Sequence, residues 1–90
     1  MDIYEAIQRG RKLSAEGKSF SFSFMSYNSQ AGKSEGVVDV LHGRFLSRED
    51  KRHHRDAEIV ERYINLDTME TRHFYQPLLM TFEGEKVILQ

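Results

Sequence analysis

Ala31-Gly32-Lys33-Ser34 ends as a phosphate-binding loop ends, with glycine, lysine and a hydroxyl residue in the order G-K-[ST]. In that motif stacked backbone amides cradle phosphates, the lysine reaches the terminal ones and the hydroxyl ligates magnesium. Three features argue against it here. The position of the motif's first glycine holds Tyr27, the residues after Ser34 are β-branched rather than helix-forming, and 90 residues leave little room for a nucleotide-hydrolysing sheet. A polar turn is the preferred reading.

His42, His53, His54 and His73 carry imidazoles of the kind that ligate zinc, copper or iron. Their spacing does not support a site. Adjacent His53 and His54 point to different sides of an extended chain, and no H-E-x-x-H or second ligand pair is present. His53 and Asp56 share a face only if residues 47 to 64 are helical. The absence of cysteine removes disulfides, thiolate nucleophiles and zinc-thiolate sites together. No cofactor and no metal is expected.

Arg48, Lys51, Arg52, His53, His54 and Arg55 form the best candidate for polyanion contact, because clustered cations gain affinity by displacing counterions from phosphates. Glu49 and Asp50 sit inside the cluster, and no aromatic residue interleaves it as a stacking platform for bases. Residues 44 to 55 hold five Arg/Lys against two acids, whereas 56 to 70 hold five acids against one Arg, so the basic segment is compensated next door. A solvated loop is favoured over nucleic-acid binding, which stays as the alternative.

General acid and base catalysis needs two carboxyl groups held across a cleft, and Glu58, Glu61, Asp67 and Glu70 supply candidates. No spacing fixes a pair among them. Surface charge is the default for all four, and Asp67 and Glu70 flank a turn where acids serve local hydrogen bonds. The serines lie in strand or turn contexts without a G-x-S-x-G elbow. A small hydrolase or metal enzyme is therefore the third reading, and a non-enzymatic module the first.

These residues must be positioned by one small domain, 1 to 90, since a chain of this length supports a single core. Six Phe and four Tyr carry much of its volume. The longest strongly apolar stretch is Leu78-Leu79-Met80, and the opening Met-Asp-Ile-Tyr-Glu lacks a basic targeting region, so neither a membrane span nor a leader is expected and a cytoplasmic location is.

Asp2 and Glu5 read as a capping box, followed by Ile3, Ala6, Ile7, Gly10 and Leu13 at helical spacing and by Gly17 as a stop. Ser19 to Phe24 alternates Ser and Phe, which puts three Phe on one face of a strand. Parity changes after Phe24, which predicts a bulge or a change of core layer. Asn28 to Ser34 reads as a turn and 36 to 46 as a strand, with Gly43 marking a bulge or close backbone approach.

Residues 47 to 57 read as loop and 58 to 66 as strand, with a helix through 47 to 64 as the alternative. The strand leads through a turn at Asp67-Thr68-Met69-Glu70 into Thr71 to Gln76. Pro77 predicts an edge, a bulge or a bend between two short strands. A last hairpin with Gly84-Glu85 as its turn sets Phe82 against Val87 and Glu83 against Lys86; the alternative turn, Glu83-Gly84, sets Phe82 against Glu85 and is less favoured. The fold class is α+β: an N-terminal helix followed by a curled antiparallel sheet or open barrel of about five to six strands.

The first strand has no Lys or Glu to guard an exposed edge, so either it is internal or another chain covers it. The internal position is preferred. The segments Leu66-Asp67-Thr68-x-Glu70-x-Arg72, Phe74-Tyr75-Gln76-Pro77-Leu78-Leu79-Met80 and Phe82-x-Gly84-x-Lys86-Val87 resemble those of short uncharacterised proteins of gut-bacterial prophages and mobile elements. The resemblance implies a phage or mobile-element setting, including the phage particle as a location, and transfers no catalytic residue. The resulting expectation is a structural or interaction subunit that meets itself or another protein through a sheet surface or edge.

Overall fold

The computed structural model describes residues 1 to 28, 33 to 46 and 59 to 89, with backbone alone at 28 and 33 to 35. Helix α1 spans Ile3–Ala15 and is followed by β1 (Phe20–Asn28), β2 (Lys33–Phe45), β3 (Val60–Asn65), β4 (Glu70–Tyr75), a 3-10 turn at Gln76–Leu78, β5 (Leu79–Phe82) and β6 (Glu85–Lys86). All strands pair antiparallel in one sheet of order β4-β3-β2-β1-β5-β6. The expected α+β architecture is present, as a curled sheet not closed into a barrel.

Chain connectivity explains the curl. In a flat sheet, β4 and β5 would stand about 19 Å apart, four strand spacings. The four virtual bonds from Tyr75 to Leu79 reach at most about 15 Å when fully extended, and less in a 3-10 turn. The sheet must therefore bend until β4 comes round towards β5. Pro77 sits in that turn and makes the bend between two short strands.

Asp2 caps α1 by accepting from the Glu5 amide at 2.7 Å. At the other end Gly17 takes φ 76°, while the amides of Gly17 and Lys18 donate to the carbonyls of Ser14 and Leu13. That pair of bonds is a Schellman stop, which needs a residue tolerant of positive φ. The apolar stripe buries Ala6, Ile7 and Gly10. A Cβ on Gly10 would stand 2.3 Å from Phe45 Cε2, so glycine permits the close approach of helix to β2. The Ser14 hydroxyl fixes that contact by donating to the Gly10 carbonyl at 2.7 Å and accepting from the Phe45 amide at 2.8 Å.

Phe20, Phe22 and Phe24 share the inner face and meet Phe45, Tyr63, Phe74 and Phe82 in one aromatic core. β1 is internal, between β2 and β5, which explains its unguarded serine face. On that face the hydroxyls of Ser23 and Thr81 bond across the strands at 2.6 Å. Register shifts between Ser26 and Tyr27 and between Ser23 and Phe24 account for the change in parity. The shift between Phe20 and Phe22 faces Gly43, where a Cβ would lie 2.9 Å from Phe22 Cε1.

Two expectations on strand limits are corrected. Lys33 and Ser34 belong to β2, paired with Asn28 and Tyr27, rather than to the turn. The last hairpin turns at Glu83-Gly84, with Phe82 facing Glu85 and Thr81 facing Lys86, rather than at Gly84-Glu85. Glu83 and Gly84 have φ 52° and 79°, the left-handed pair of a type I′ turn, whose twist matches the strands it joins. The Glu83 carboxylate helps to hold this turn by accepting from the Ser21 amide at 3.1 Å and hydroxyl at 3.2 Å. Residues 60 to 65 form a strand and the turn after it places Met69 at φ 61°, whereas residues 47 to 58 lie outside the described residues.

Candidate interaction site

The candidate polyanion residues Arg48, Lys51, Arg52, His53, His54 and Arg55, like Glu58, lie outside the described residues. Of the phosphate-loop residues only Lys33 and Ser34 are described, and they begin a strand. His42 and His73 have separate surroundings. His42 Nδ1 lies 3.1 Å from each carboxylate oxygen of Asp67 on the exposed surface, while the His73 ring meets Tyr75 at 6.3 Å. Among the described residues no group of three or more His, Asp or Glu is placed to hold a metal ion, and no helix is long and apolar enough to cross a membrane.

Glu61 corrects the reading of the acids as surface charge, because it is fully buried. Arg11 on α1 donates to it through Nε at 3.2 Å and Nη2 at 2.8 Å, and Gln76 in the 3-10 turn donates through Nε2 at 2.9 Å. The carboxylate thus joins helix, β3 and the turn that curls the sheet. Its partners are 50 and 15 residues away in sequence. Alternation along β3 puts Glu61 on the same face as the core residue Tyr63, but no local pattern names Arg11 as its partner.

The feature with the character of a binding site is a slot of about 510 Å³ where the curl is left open. Its lining is unusual in running through consecutive residues of two strands, Phe24 to Tyr27 of β1 and Thr71 to Tyr75 of β4, with Val38 and Tyr63 between them. A hollow on one sheet face takes every second residue of a strand. Consecutive residues mean that the slot runs between two strand edges. β5 pairs with only Phe22, Ser23 and Phe24 of β1, so the last residues of β1 have no strand on that side among the described residues. Among the described residues β4 is the outermost strand of the sheet on its side.

Aromatic rings span the slot, Phe24 stacking on Phe74 at 5.0 Å and Tyr27 meeting Tyr75 edge-on at 6.1 Å. The Ser26 hydroxyl is buried there without a hydrogen-bond partner among the described residues. Burial pushes the Tyr63 hydroxyl above its ordinary pKa of 10.0, with Arg72 opposing and Glu70 reinforcing the shift. The folded state therefore keeps this proton when the unfolded chain has lost it. Stability is expected to be insensitive to Tyr63 below about pH 10 and to fall by up to about 1.4 kcal/mol per pH unit from there to the folded value. Tyr63→Phe should remove that fall in urea midpoints compared on either side of about pH 10.

Fold and slot together define an α+β domain with a curled antiparallel sheet and an aromatic-lined opening between β1 and β4. No family model, no curated protein and no solved structure matches the chain.

Proposed function

We propose that this protein is a non-enzymatic interaction module that binds by accepting an added strand along the outer edge of β4. The observation that carries this reading is the two-edged slot, beside which β4 has no further strand among the described residues; a strand at the edge of a sheet is a template for another extended chain. A prophage or mobile-element setting, implied by the resemblance, belongs to the same proposal and is checked by the identity of neighbouring genes.

Backbone directions select a clean test. The Leu46 amide donates to the Arg62 carbonyl and the Leu66 amide to the His42 carbonyl, so Arg62, Ile64 and Leu66 turn their polar groups towards β2. Glu61, Tyr63 and Asn65 then face β4, opposite Phe74, Arg72 and Glu70. By alternation Thr71, His73 and Tyr75 direct their amides and carbonyls away from β3. Thr71→Pro should remove an outward donor while sparing the pairing with β3, because edge strands tolerate proline at such positions.

A photo-crosslinker at exposed Met69, expressed in the native host, is expected to give discrete protein adducts that Thr71→Pro abolishes. A crosslinker at Tyr4, on exposed helix surface, should not give them. Adducts from Met69 that persist unchanged in the Thr71→Pro protein would overturn strand addition at β4.

A further inference from the structure

We propose that the slot between β1 and β4 binds a small uncharged aromatic molecule, one or two fused rings bearing an oxygen that can hydrogen-bond. The inference goes beyond strand addition, since it rests on the side chains that wall the slot and on no backbone group of β4. The slot's volume of about 510 Å³ lies within the range of small-molecule pockets, about 300–1,000 Å³.

The rings of the slot select the shape of the ligand. Phe24 and Phe74 lie nearly parallel, at 19° between ring planes, whereas Tyr27 and Tyr75 meet at 74°, so the walls offer both ring faces and ring edges. Negative faces and positive edges favour a further aromatic ring over an aliphatic chain of equal area. Tyr27 is 47% exposed, which leaves ring surface for a ligand to cover. Met25 and Val38 add apolar surface beside it.

The charges select a neutral ligand. Of the described residues that line the slot, Arg72 alone is charged at every ordinary pH, and its guanidinium already donates to the Glu70 carboxylate at 2.9 Å. An anion would have to compete with that carboxylate. The wall around Tyr63 is also poorly solvated, because burial is the largest influence on its hydroxyl and keeps the proton on. Surroundings that penalise a phenolate penalise a charged ligand for the same reason.

The Ser26 hydroxyl selects the polar group. It belongs to the wall of the slot, is buried, and has no hydrogen-bond partner among the described residues. Buried polar groups are nearly always paired, and an unpaired one costs stability until something supplies a partner. A ligand oxygen turned towards Ser26 supplies it.

The test is titration of the purified full chain, followed through its amide chemical shifts, with three probes of similar size: 2-naphthol, naphthalene and 2-naphthoate. 2-Naphthol is expected to bind saturably below millimolar concentration and to shift the amides of Phe24 to Tyr27 and Thr71 to Tyr75 most. 2-Naphthoate should bind at least about tenfold more weakly, because its charge must be desolvated. Ser26→Ala should weaken 2-naphthol by about three- to tenfold, the worth of one neutral hydrogen bond, and leave naphthalene unchanged. The substitution removes a hydroxyl that makes no bond in the free protein, so the variant should keep its melting temperature.

No saturable binding of 2-naphthol at millimolar concentration, shifts centred outside the slot, tighter binding of 2-naphthoate, or a Ser26→Ala protein that binds 2-naphthol as before would each overturn the site. A marked loss of stability in Ser26→Ala would do the same, since it would show the hydroxyl to be partnered already. Adducts from Met69 report on strand addition separately, so either reading can fail while the other stands.

Discussion

Arg11→Ala is expected to cost about 3–5 kcal/mol of folding stability, more than Glu61→Ala, although Glu61 is the buried partner. The asymmetry follows from where each charge is left. Glu61 has no exposed surface, and without Arg11 its carboxylate keeps only the Gln76 amide as a donor from the pair described above. The Arg11 side chain is 34% exposed, so without Glu61 the guanidinium can turn to water. Removing one partner is costly when the other remains uncompensated, and much less so when it can be resolvated. The double variant Arg11→Ala/Glu61→Ala should therefore resemble Glu61→Ala rather than the sum of the two. Urea unfolding of the three variants measures this, and an Arg11→Ala protein within about 1 kcal/mol of the parent would show that the pair does not anchor the helix.

Much of this arrangement was legible because it is local. The capped helix, the Phe alternation of β1, the tolerance for positive φ sought at Gly17, and the bend at Pro77 each follow from a few neighbouring residues. The last hairpin turns one residue earlier than cross-strand matching suggests, because turn geometry outweighs the matching of side chains. Pairing Glu83 with Lys86 looked better than the twist that a type I′ turn requires, yet the Glu83 carboxylate finds its partners on Ser21, 62 residues away. The Glu61 triad was hidden for the same reason. A charge in a strand reads as surface until the helix that neutralises it is brought over, and strand periodicity carries no information on that helix.

The slot belongs to a third category, since it depends on strand order. The sequence placed the first strand inside the sheet and suggested an exposed edge, but which strand would be outermost depends on β5 returning to pair with β1. That return leaves Met25 to Asn28 without β5 beside them and leaves β4 at the boundary. The same short turn that forces the curl therefore also produces the opening. Structure and candidate function share one cause, the three-residue Gln76–Leu78 connection.

Phe74→Ala tests that link and should cost about 3–5 kcal/mol, the range for emptying a buried phenylalanine site. Phe74 is 2% exposed although it comes from an edge strand. Its ring stacks on Phe24 at 5.0 Å across the opening and reaches Phe22 at 5.6 Å, Phe45 at 5.8 Å and Tyr63 at 6.1 Å. Of the residues of β4 it is the only one in the core cluster, so it is the main apolar tie holding this strand in the curl. Its loss should release β3 and β4 before the rest of the sheet. Amide exchange in Val60–Asn65 and Glu70–Tyr75 should accelerate by more than global destabilisation explains, while β1 and β2 follow the global value. Phe82→Ala, which empties a buried site on the other side of β1, provides the comparison: it should lower stability by a similar amount without that selective opening. Equal acceleration across all strands in both variants would show that the sheet opens as one unit and that Phe74 does not separately hold the β4 edge in place.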